Sequence, residues 1–248
     1  MLKRAKERTA DSLRDIRFVP DFQAAALASV LIEWGGTRVL CSVSGVDNIP
    51  PWMRAQNVPG GWLTCEYRML PGSTRERTQR EGTSGPGGRT HEIQRLIGRS
   101  LRAVLDLKQI GKRTLYVDCD VIDADGGTRC ASITGACVAL EMALRRIFGR
   151  GELQAWPLSG RVAAVSVGIV KGETLLDLDY QEDNGAEVDM NLVMTADGRF
   201  VEVQGTAEGA PFGPAALQQM LTVGQQGLGK ICALQDKILT QLFPGSRG

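Results

Sequence analysis

The sequence predicts an α+β protein in which strands come before helices in each half of the chain. β-rich runs meet one another at glycine-containing turns, as antiparallel hairpins do. Two long segments have the apolar spacing, or the all-round apolar character, of buried helices. No strand–helix–strand rhythm of about thirty residues recurs, which disfavours a wholly parallel sheet. We therefore expect helices packed on mixed sheets, with the two halves similar enough in style to suggest a duplicated unit.

Strands dominate the start of the first half. The predicted strands cover residues 27–34, 37–43, 62–70 and 115–121. Gly35-Gly36 joins the first two as a hairpin, and the last alternates apolar with acidic residues, as a half-buried strand does. Residues 47–61 and 71–88 are rich in proline, glycine and polar side chains, which predicts loops. The second loop is long and rich in arginine, and such loops inside a compact domain are commonly functional.

Two helices complete the first half. Apolar residues follow the i, i+3, i+4 spacing from Ile93 to Leu105, which predicts an amphipathic helix with Thr90 as its N-cap. From about Arg129 to Phe148 the chain is apolar on nearly every face, so we expect this helix to be central. Gly149-Arg150-Gly151 ends it.

The second half has the same style. Residues 162–170 and 174–180 predict a hairpin about Lys171-Gly172, and residues 188–195 and 199–204 predict another. A last helix is predicted over residues 214–242. A length of 248 residues suits one domain of two closely packed halves, which we place at 1–155 and 156–248.

Composition excludes several classes of protein. Apolar residues make up 43% of the chain, which is enough to bury a core and argues against disorder. Six scattered cysteines without a C-x-x-C pair, and a single histidine, exclude a zinc site of Cys/His type. The N-terminus lacks the apolar run of a signal peptide, and no segment is long enough to span a membrane. These features predict a cytoplasmic protein with no membrane partner.

Charge is unevenly distributed although the net charge is only +1. Residues 68–102 hold eight arginines against three glutamates, whereas residues 173–189 hold seven acidic residues and no basic one. If the fold brings the two segments together, they can hold a polyanion and a divalent cation side by side. From charge alone, two solvated surfaces that merely balance one another are the simpler reading.

Two glycine-rich turns precede the predicted helices of the first half. The first ends in Gly88-Arg89-Thr90, and the second is Asp125-Gly126-Gly127-Thr128-Arg129. Glycine N–H groups, a helix N-terminus and an arginine together suit an anion such as phosphate. A flexible turn that ends at a helix cap is the rival reading for each. The spacing fits neither a P-loop nor a dinucleotide motif, and Val121 and Ser132 replace the ligands of a calcium loop.

Two further groups of residues suit nucleic-acid chemistry. Asp183 and Asp189 flank a bend where both carboxylates can meet one Mg²⁺, although two exposed acids in a turn are the bland alternative. Arg75, Arg77 and Arg80 on the long loop suit contacts with an RNA backbone, with solubility or a subunit contact as the rival.

These segments, in this order, resemble ribonuclease PH, which is related to polynucleotide phosphorylase and the exosome ring. The similarity runs from about Arg14 to the last helix. The stretches that carry it include Glu66-Tyr67, Gly88-Arg89-Thr90, Glu92 to Arg102, Asp118 to Val121, Ala124 to Arg129, Ala131 to Ala136, Val165 to Val170, Glu187 to Asn191 and Glu202 to Glu208. The sequence departs from the family at Arg68, where a small residue is expected, at Gly72, and over Thr83-Ser84-Gly85-Pro86.

The resemblance implies a fold, an activity and a set of roles. The fold is two similar β-α halves like the second domain of ribosomal protein S5, and the assembly is a homo-hexamer built as a trimer of dimers. The activity is phosphate-dependent 3′-to-5′ trimming of RNA 3′ ends, transfer RNA precursors above all, by a tRNA nucleotidyltransferase that releases nucleoside diphosphates. The implied roles are phosphate binding by Arg89, Gly127, Thr128 and Arg129, catalysis and Mg²⁺ or Mn²⁺ binding by Asp183 and Asp189, and RNA binding by Arg75, Arg77 and Arg80.

Two other functions compete with this one. A non-catalytic RNA-binding ring subunit would be expected to lack one or more of Arg89, Arg129, Asp183 and Asp189, and all four are present. A hydrolytic metal-dependent nuclease would release nucleoside monophosphates and would not need phosphate.

Overall fold

The structure of the chain, a computed structural model, describes residue 4 and residues 7–81 and 85–245. Its elements, in chain order, are β1 (Ile16–Pro20), β2 (Ala28–Trp34), β3 (Thr37–Val46), α1 (Pro51–Ala55), β4 (Trp62–Met69), α2 (Gly88–Arg102), β5 (Thr114–Asp123), α3 (Thr128–Gly149), β6 (Val162–Val170), β7 (Glu173–Leu176), α4 (Tyr180–Asn184), β8 (Val188–Thr195), β9 (Phe200–Ala207) and α5 (Pro214–Leu242).

The strands form two sheets, which confirms the predicted α+β class. The first sheet has the order β1-β2-β3-β5-β4, and the second has the order β7-β6-β8-β9. Neighbours are antiparallel in both sheets except for β4 and β5, which run parallel. The α2 helix connects that parallel pair, as a crossover between parallel strands requires. The first sheet is therefore mixed, and the second is antiparallel.

Helix α3 is central, as its all-round apolar sequence predicts. It packs on β2 and β3 of the first sheet and on β6 of the second. Ile133 and Leu140 on this helix are fully buried. Gly135 allows the close approach to β2, because a Cβ added there would lie 2.8 Å from the Ile32 side chain. One hydrophobic core consequently joins the two halves.

The start of α2 differs from the prediction. The N-cap is Gly87 and not Thr90, which lies inside the first turn. Its hydroxyl donates a 2.6 Å hydrogen bond to Oε1 of Glu81, and the same carboxylate oxygen accepts the Gly87 N–H at 3.1 Å. A carboxylate from the preceding loop thus takes the place of a capping side chain, and sequence spacing does not reveal such a partner.

The segment that follows β7 also differs from the prediction. The strand predicted over residues 174–180 ends at Leu176, because Asp177 has a φ of +56° that turns the chain away from the sheet. Asp179 then caps α4 in a reciprocal capping box with Glu182. Asp183 therefore lies in a short helix, where the sequence indicated only a bend.

Besides α4, two other short elements were not predicted. Strand β1 extends the first sheet by pairing with β2, with Ile16 opposite Trp34. Helix α1 interrupts the predicted loop over residues 47–61. All six cysteines are free and buried. Within the described part of the chain, no helix combines the length and the apolarity that crossing a membrane needs.

Candidate active site

A cavity of about 350 Å³ lies where the two halves of the chain meet. The end of β4, the turn between β5 and α3, helix α4 and the start of β8 converge on it. Its lining residues are Met69, Thr74, Arg89, Ala124, Gly126, Gly127, Thr128, Arg129, Ser166, Tyr180, Asp183, Asp189 and Asn191. The volume falls within the range of small-ligand sites.

Six of the nine predicted site residues line this cavity. Both glycine-rich turns contribute, and so do both candidate acids: the six are Arg89, Gly127, Thr128, Arg129, Asp183 and Asp189. The loop arginines do not. Arg75 lines an adjoining cavity, and Arg77 and Arg80 are exposed and line neither. The fold thus brings part of the arginine-rich segment (residues 68–102) and part of the acidic segment (residues 173–189) to one cavity.

The Gly126-Gly127 turn has a conformation that needs glycine. Its φ angles are +79° and +67°. A Cβ added at Gly126 would lie 2.7 Å from the Leu178 carbonyl oxygen, so the turn packs directly against the chain that leads into α4. The Thr37 hydroxyl donates to the Gly126 carbonyl at 2.7 Å and accepts the Asp125 N–H at 2.9 Å. These contacts fix where α3 begins.

The first two residues of α3 are held by other elements. The hydroxyls of Tyr67 and Thr128 are hydrogen-bonded at 2.9 Å, and burial raises the pKa of the Tyr67 phenol. Nη1 of Arg129 donates to Oε1 of Gln204 at 2.9 Å and lies 3.6 Å from Oε1 of Glu92. One guanidinium of the cavity is thereby oriented by α2 and by β9 together.

The two acids have perturbed proton affinities. Burial, followed by the charge of Asp183, raises the pKa of Asp189 to about 6. Burial also raises the pKa of Asp183, against the opposing effect of Arg89 and Arg129. Carboxylates with raised pKa values beside arginines in a cavity are typical of functional sites.

The donor set fits a divalent cation. Oδ1 of Asp189 is buried and has no hydrogen-bond partner among the described residues, whereas Oδ2 accepts a long 3.4 Å bond from Asn191. An unpaired buried carboxylate oxygen is costly unless a cation meets it. Over the residues that the structure describes, no cluster of three or more His, Cys, Asp or Glu side chains could hold a metal. Two carboxylates, completed by water and substrate phosphates, are the coordination that Mg²⁺ commonly takes.

Three N-terminal arginines pair with three of the seven acids of the acidic segment, namely Asp177, Asp179 and Glu182. Arg14 contacts the Asp177 carboxylate through its backbone N–H at 2.6 Å and through Nη2 at 2.7 Å. Arg4 pairs with Glu182 at 2.7 Å, and Arg8 lies 3.1 Å from the same side chain. The side chains of all three ion pairs are at most 9% exposed. We did not predict this clamp, although an acidic run that contains no basic residue must find its cations elsewhere.

The departures from the family pattern lie beside the long loop. Arg68 forms an ion pair with Glu81 at 2.8 Å, so the unexpected arginine holds the carboxylate that caps α2. Gly72 is exposed, with nothing within 4 Å of an added Cβ. Thr83 and Ser84 lie outside the described residues.

Comparisons with known proteins show the family and the fold. The model of the RNase PH 3′ exoribonuclease family, domain 1, matches residues 12–145, and the model of domain 2 of the same family matches residues 160–227. Rice (Oryza sativa) Rrp46 superposes with a TM-score of 0.78 at 18% identity, over 96% of this chain and 100% of that one.

Two archaeal structures are similar in the same way. The Archaeoglobus fulgidus exosome with RNA bound to the active site gives a TM-score of 0.76 at 22% identity, over 95% of this chain and 92% of that one. An archaeal exosome core gives 0.73 at 21% identity, over 94% and 91%. At these identities the likeness shows a shared fold.

Proposed function

The chain belongs to the RNase PH family of 3′ exoribonucleases, and we propose on that premise that it is an active, phosphate-dependent 3′-to-5′ exoribonuclease. The observation that carries the proposal is the single cavity lined by Arg89, by Gly127 to Arg129, and by Asp183 and Asp189. A non-catalytic ring subunit has no need to keep all of these groups around one space.

Phosphate binding falls to the groups from the first half of the chain. Arg89 and Arg129 supply guanidinium forks, and Thr128 supplies a hydroxyl at the N-terminus of the 22-residue helix α3. Gly127 leaves the backbone open to the anion. An oxygen of the bound phosphate attacks the last phosphodiester of the RNA. The bond to the 3′ oxygen of the preceding nucleotide breaks, that oxygen takes up a proton, and a nucleoside diphosphate leaves.

The acids from the second half of the chain would hold the cation that stabilises charge at the breaking bond. Asp183 and Asp189 would hold Mg²⁺ or Mn²⁺, which when bound neutralises charge on the phosphate oxygens. Positioning and electrostatics supply most of the catalysis in phosphoryl transfer, so two arginines and the metal that the two carboxylates would hold are enough for this chemistry. Because a phosphodiester and a diphosphate linkage have similar energies, extension of RNA from nucleoside diphosphates should also be measurable.

The RNA substrate is proposed from the family and from the loop. The exposed arginines Arg75, Arg77 and Arg80 suit backbone contacts with structured RNA, and transfer RNA precursors are the proposed substrates. The proposed assembly is a homo-hexamer, a trimer of dimers, built from single domains with halves at 1–155 and 156–248. Six buried free thiols suit the reducing cytoplasm, which is the proposed location.

The test is to incubate the protein with RNA and Mg²⁺, with and without inorganic phosphate, and to identify the released nucleotide. The proposal predicts nucleoside diphosphates that appear only with phosphate. Nucleoside monophosphates released without phosphate would indicate a hydrolytic nuclease. RNA binding with no release under either condition would indicate a non-catalytic ring subunit.

A pair of arginine variants tests the phosphate site. Arg89→Ala should raise the KM for phosphate by about tenfold or more, because it removes a charge-assisted contact, and should change RNA affinity little. Arg95→Ala is the matched control, since Arg95 is exposed on the same helix and does not line the cavity. Unchanged phosphorolysis by Arg89→Ala at low phosphate would reject the assignment.

A further inference from the structure

A second cavity of about 590 Å³ adjoins the candidate active site. The two cavities share three lining residues, namely Thr74, Ala124 and Tyr180. The others that line the second cavity are Arg75, Glu76, Thr78, Asp125, Asp179 and Gln181. We call it the outer cavity. A polymer whose end occupies the inner cavity has a direct continuation into this space.

Tyr180 stands at the boundary between the two cavities. It is 55% exposed, and it is the only aromatic residue that lines either cavity within the described part of the chain. Exposed aromatic faces beside nucleic-acid sites stack on bases.

The backbone under Tyr180 is held firmly. Its preceding residue, Asp179, caps α4 by accepting the N–H groups of Gln181 and Glu182, both at 3.0 Å. Glu182 is in turn held by the buried Arg4. On the other side, Gly126 packs against the Tyr180 backbone nitrogen. A ring on so rigid a support loses little freedom when it stacks.

The charges of the outer cavity indicate which part of a nucleotide it suits. Three acids, Glu76, Asp125 and Asp179, line it together with a single arginine, Arg75. This balance disfavours a phosphate group inside. It suits a base, whose N–H groups are donors and whose faces are apolar, with the backbone phosphate left to Arg75.

We propose that the outer cavity binds one base near the RNA 3′ end, stacked on Tyr180. The inference rests on the proposed function for the direction in which the RNA runs, but its ligand is RNA whether or not the bond is cleaved. Tyr180 is thus a binding residue, and nothing in the proposed chemistry requires its hydroxyl.

The first experiment measures the binding of a short fluorescent RNA by anisotropy, in EDTA and without phosphate, so that no cleavage can occur. Tyr180→Leu should raise the Kd by about 5- to 100-fold, which is the usual effect of losing one stacked base. Tyr180→Phe keeps the ring and should stay within about twofold of the wild type. Tyr116→Leu is the matched control, because Tyr116 is 41% exposed near the start of β5, roughly 25 Å along the strand from Ala124.

The second experiment uses RNAs that carry one abasic nucleotide, at the first, second or third position from the 3′ end. In the wild type, one of these positions should lose affinity most. For Tyr180→Leu, removing the base at that position should weaken RNA binding no further, because the stacking partner is already gone. Equal losses in both proteins, or a wild-type Kd for Tyr180→Leu, would overturn the proposal.

The outcome is separable from that of the proposed function. If RNA binds with the expected dependence on Tyr180 but no diphosphate is released, the base-binding site is supported and the proposed reaction is rejected. If diphosphates are released normally and Tyr180→Leu binds RNA like the wild type, the reaction is supported and the base-binding site is rejected.

Discussion

Arg129 and Gln204 are hydrogen-bonded across the two halves of the chain, with Nη1 of the arginine 2.9 Å from Oε1 of the amide. The bond ties the first turn of α3 to strand β9. The Gln204 amide in turn donates to Glu92 of α2 at 3.3 Å. Gln204 therefore orients the guanidinium of Arg129, a candidate phosphate-binding group, although Gln204 itself does not line the cavity.

Loss of this bond should weaken phosphate binding more than it slows the reaction. Gln204→Leu should raise the KM for phosphate by about 3- to 10-fold, the effect of one net hydrogen bond, with a smaller change in kcat. The measurement is steady-state phosphorolysis at saturating RNA and varied phosphate. Gln226→Leu on the exposed face of α5 serves as the control. A fall in kcat at constant KM would contradict the positioning role.

The sequence predicts the long elements well because their patterns are local. The bounds of α5 are as predicted, and α3 is central because its residues are apolar on every face. The gathering of Arg89 with the Gly127 turn and the two acids was expected from the resemblance and is seen in the cavity. The roles of these residues stay predictions.

The features that were missed depend on distant partners. Strand β1 has five residues and is defined by its pairing with β2. The cap of α2 comes from Glu81 on the preceding loop. The clamp joins Arg14 to Asp177 across 163 positions of sequence. No local spacing encodes such contacts, so only the acidic run of residues 173–189, which contains no basic residue, hinted at them.

The raised pKa of Asp189 predicts a cost in stability at neutral pH. Its pKa is about 6 in the folded chain against 3.8 when unperturbed. Between these values the folded state keeps a proton that the unfolded state has released, so stability rises as pH falls from about 6 to about 4. Above pH 6 the buried charge carries its full penalty, on the order of 1–3 kcal/mol.

Asp189→Asn should remove that penalty. In EDTA at pH 7.5 the variant should unfold at higher urea than the wild type, and the two should converge near pH 4. Urea titrations at pH 4, 5, 6 and 7.5 measure the difference. A variant that is less stable at pH 7.5, or a difference that does not depend on pH, would contradict the assignment of the shift to burial. Stability gained in this way at the expense of activity is typical of functional residues.

The buried pair of Asp177 and Arg14 should contribute strongly to stability. The carboxylate also accepts the indole N–H of Trp34 at 2.9 Å, so four donors surround it: the backbone N–H, Nε and Nη2 of Arg14 and the Trp34 indole. Asp177→Asn should cost about 3–5 kcal/mol, because it leaves the Arg14 charge buried without its partner. Urea unfolding at pH 7.5 measures the loss.

An exposed ion pair gives the control for that variant. Asp197 pairs with Arg199 in a turn where both side chains are largely exposed. Asp197→Asn should therefore leave the urea midpoint close to that of the wild type, because solvent screens an exposed ion pair. Comparable losses for the two variants would show that burial does not set the strength of the Asp177 pair.

The glycine turn before α3 gives the sharpest structural test, because two glycines in the chain offer opposite expectations. Gly126→Ala forces a Cβ to within 2.7 Å of the Leu178 carbonyl oxygen at a φ of +79°, so the turn must move away from α4. That movement separates Thr128 and Arg129 from Asp183, and phosphorolysis should fall by about 100-fold or more, since displacements of about 1 Å at a reacting centre have effects of that size. Gly88→Ala places its Cβ in open space at the first residue of α2, and it should keep full activity with equal or slightly higher stability. Activity assays and thermal unfolding of the two variants measure both effects.

Normal phosphorolysis by Gly126→Ala would mean that the Gly126 contact with the chain entering α4 does not set the geometry of the cavity.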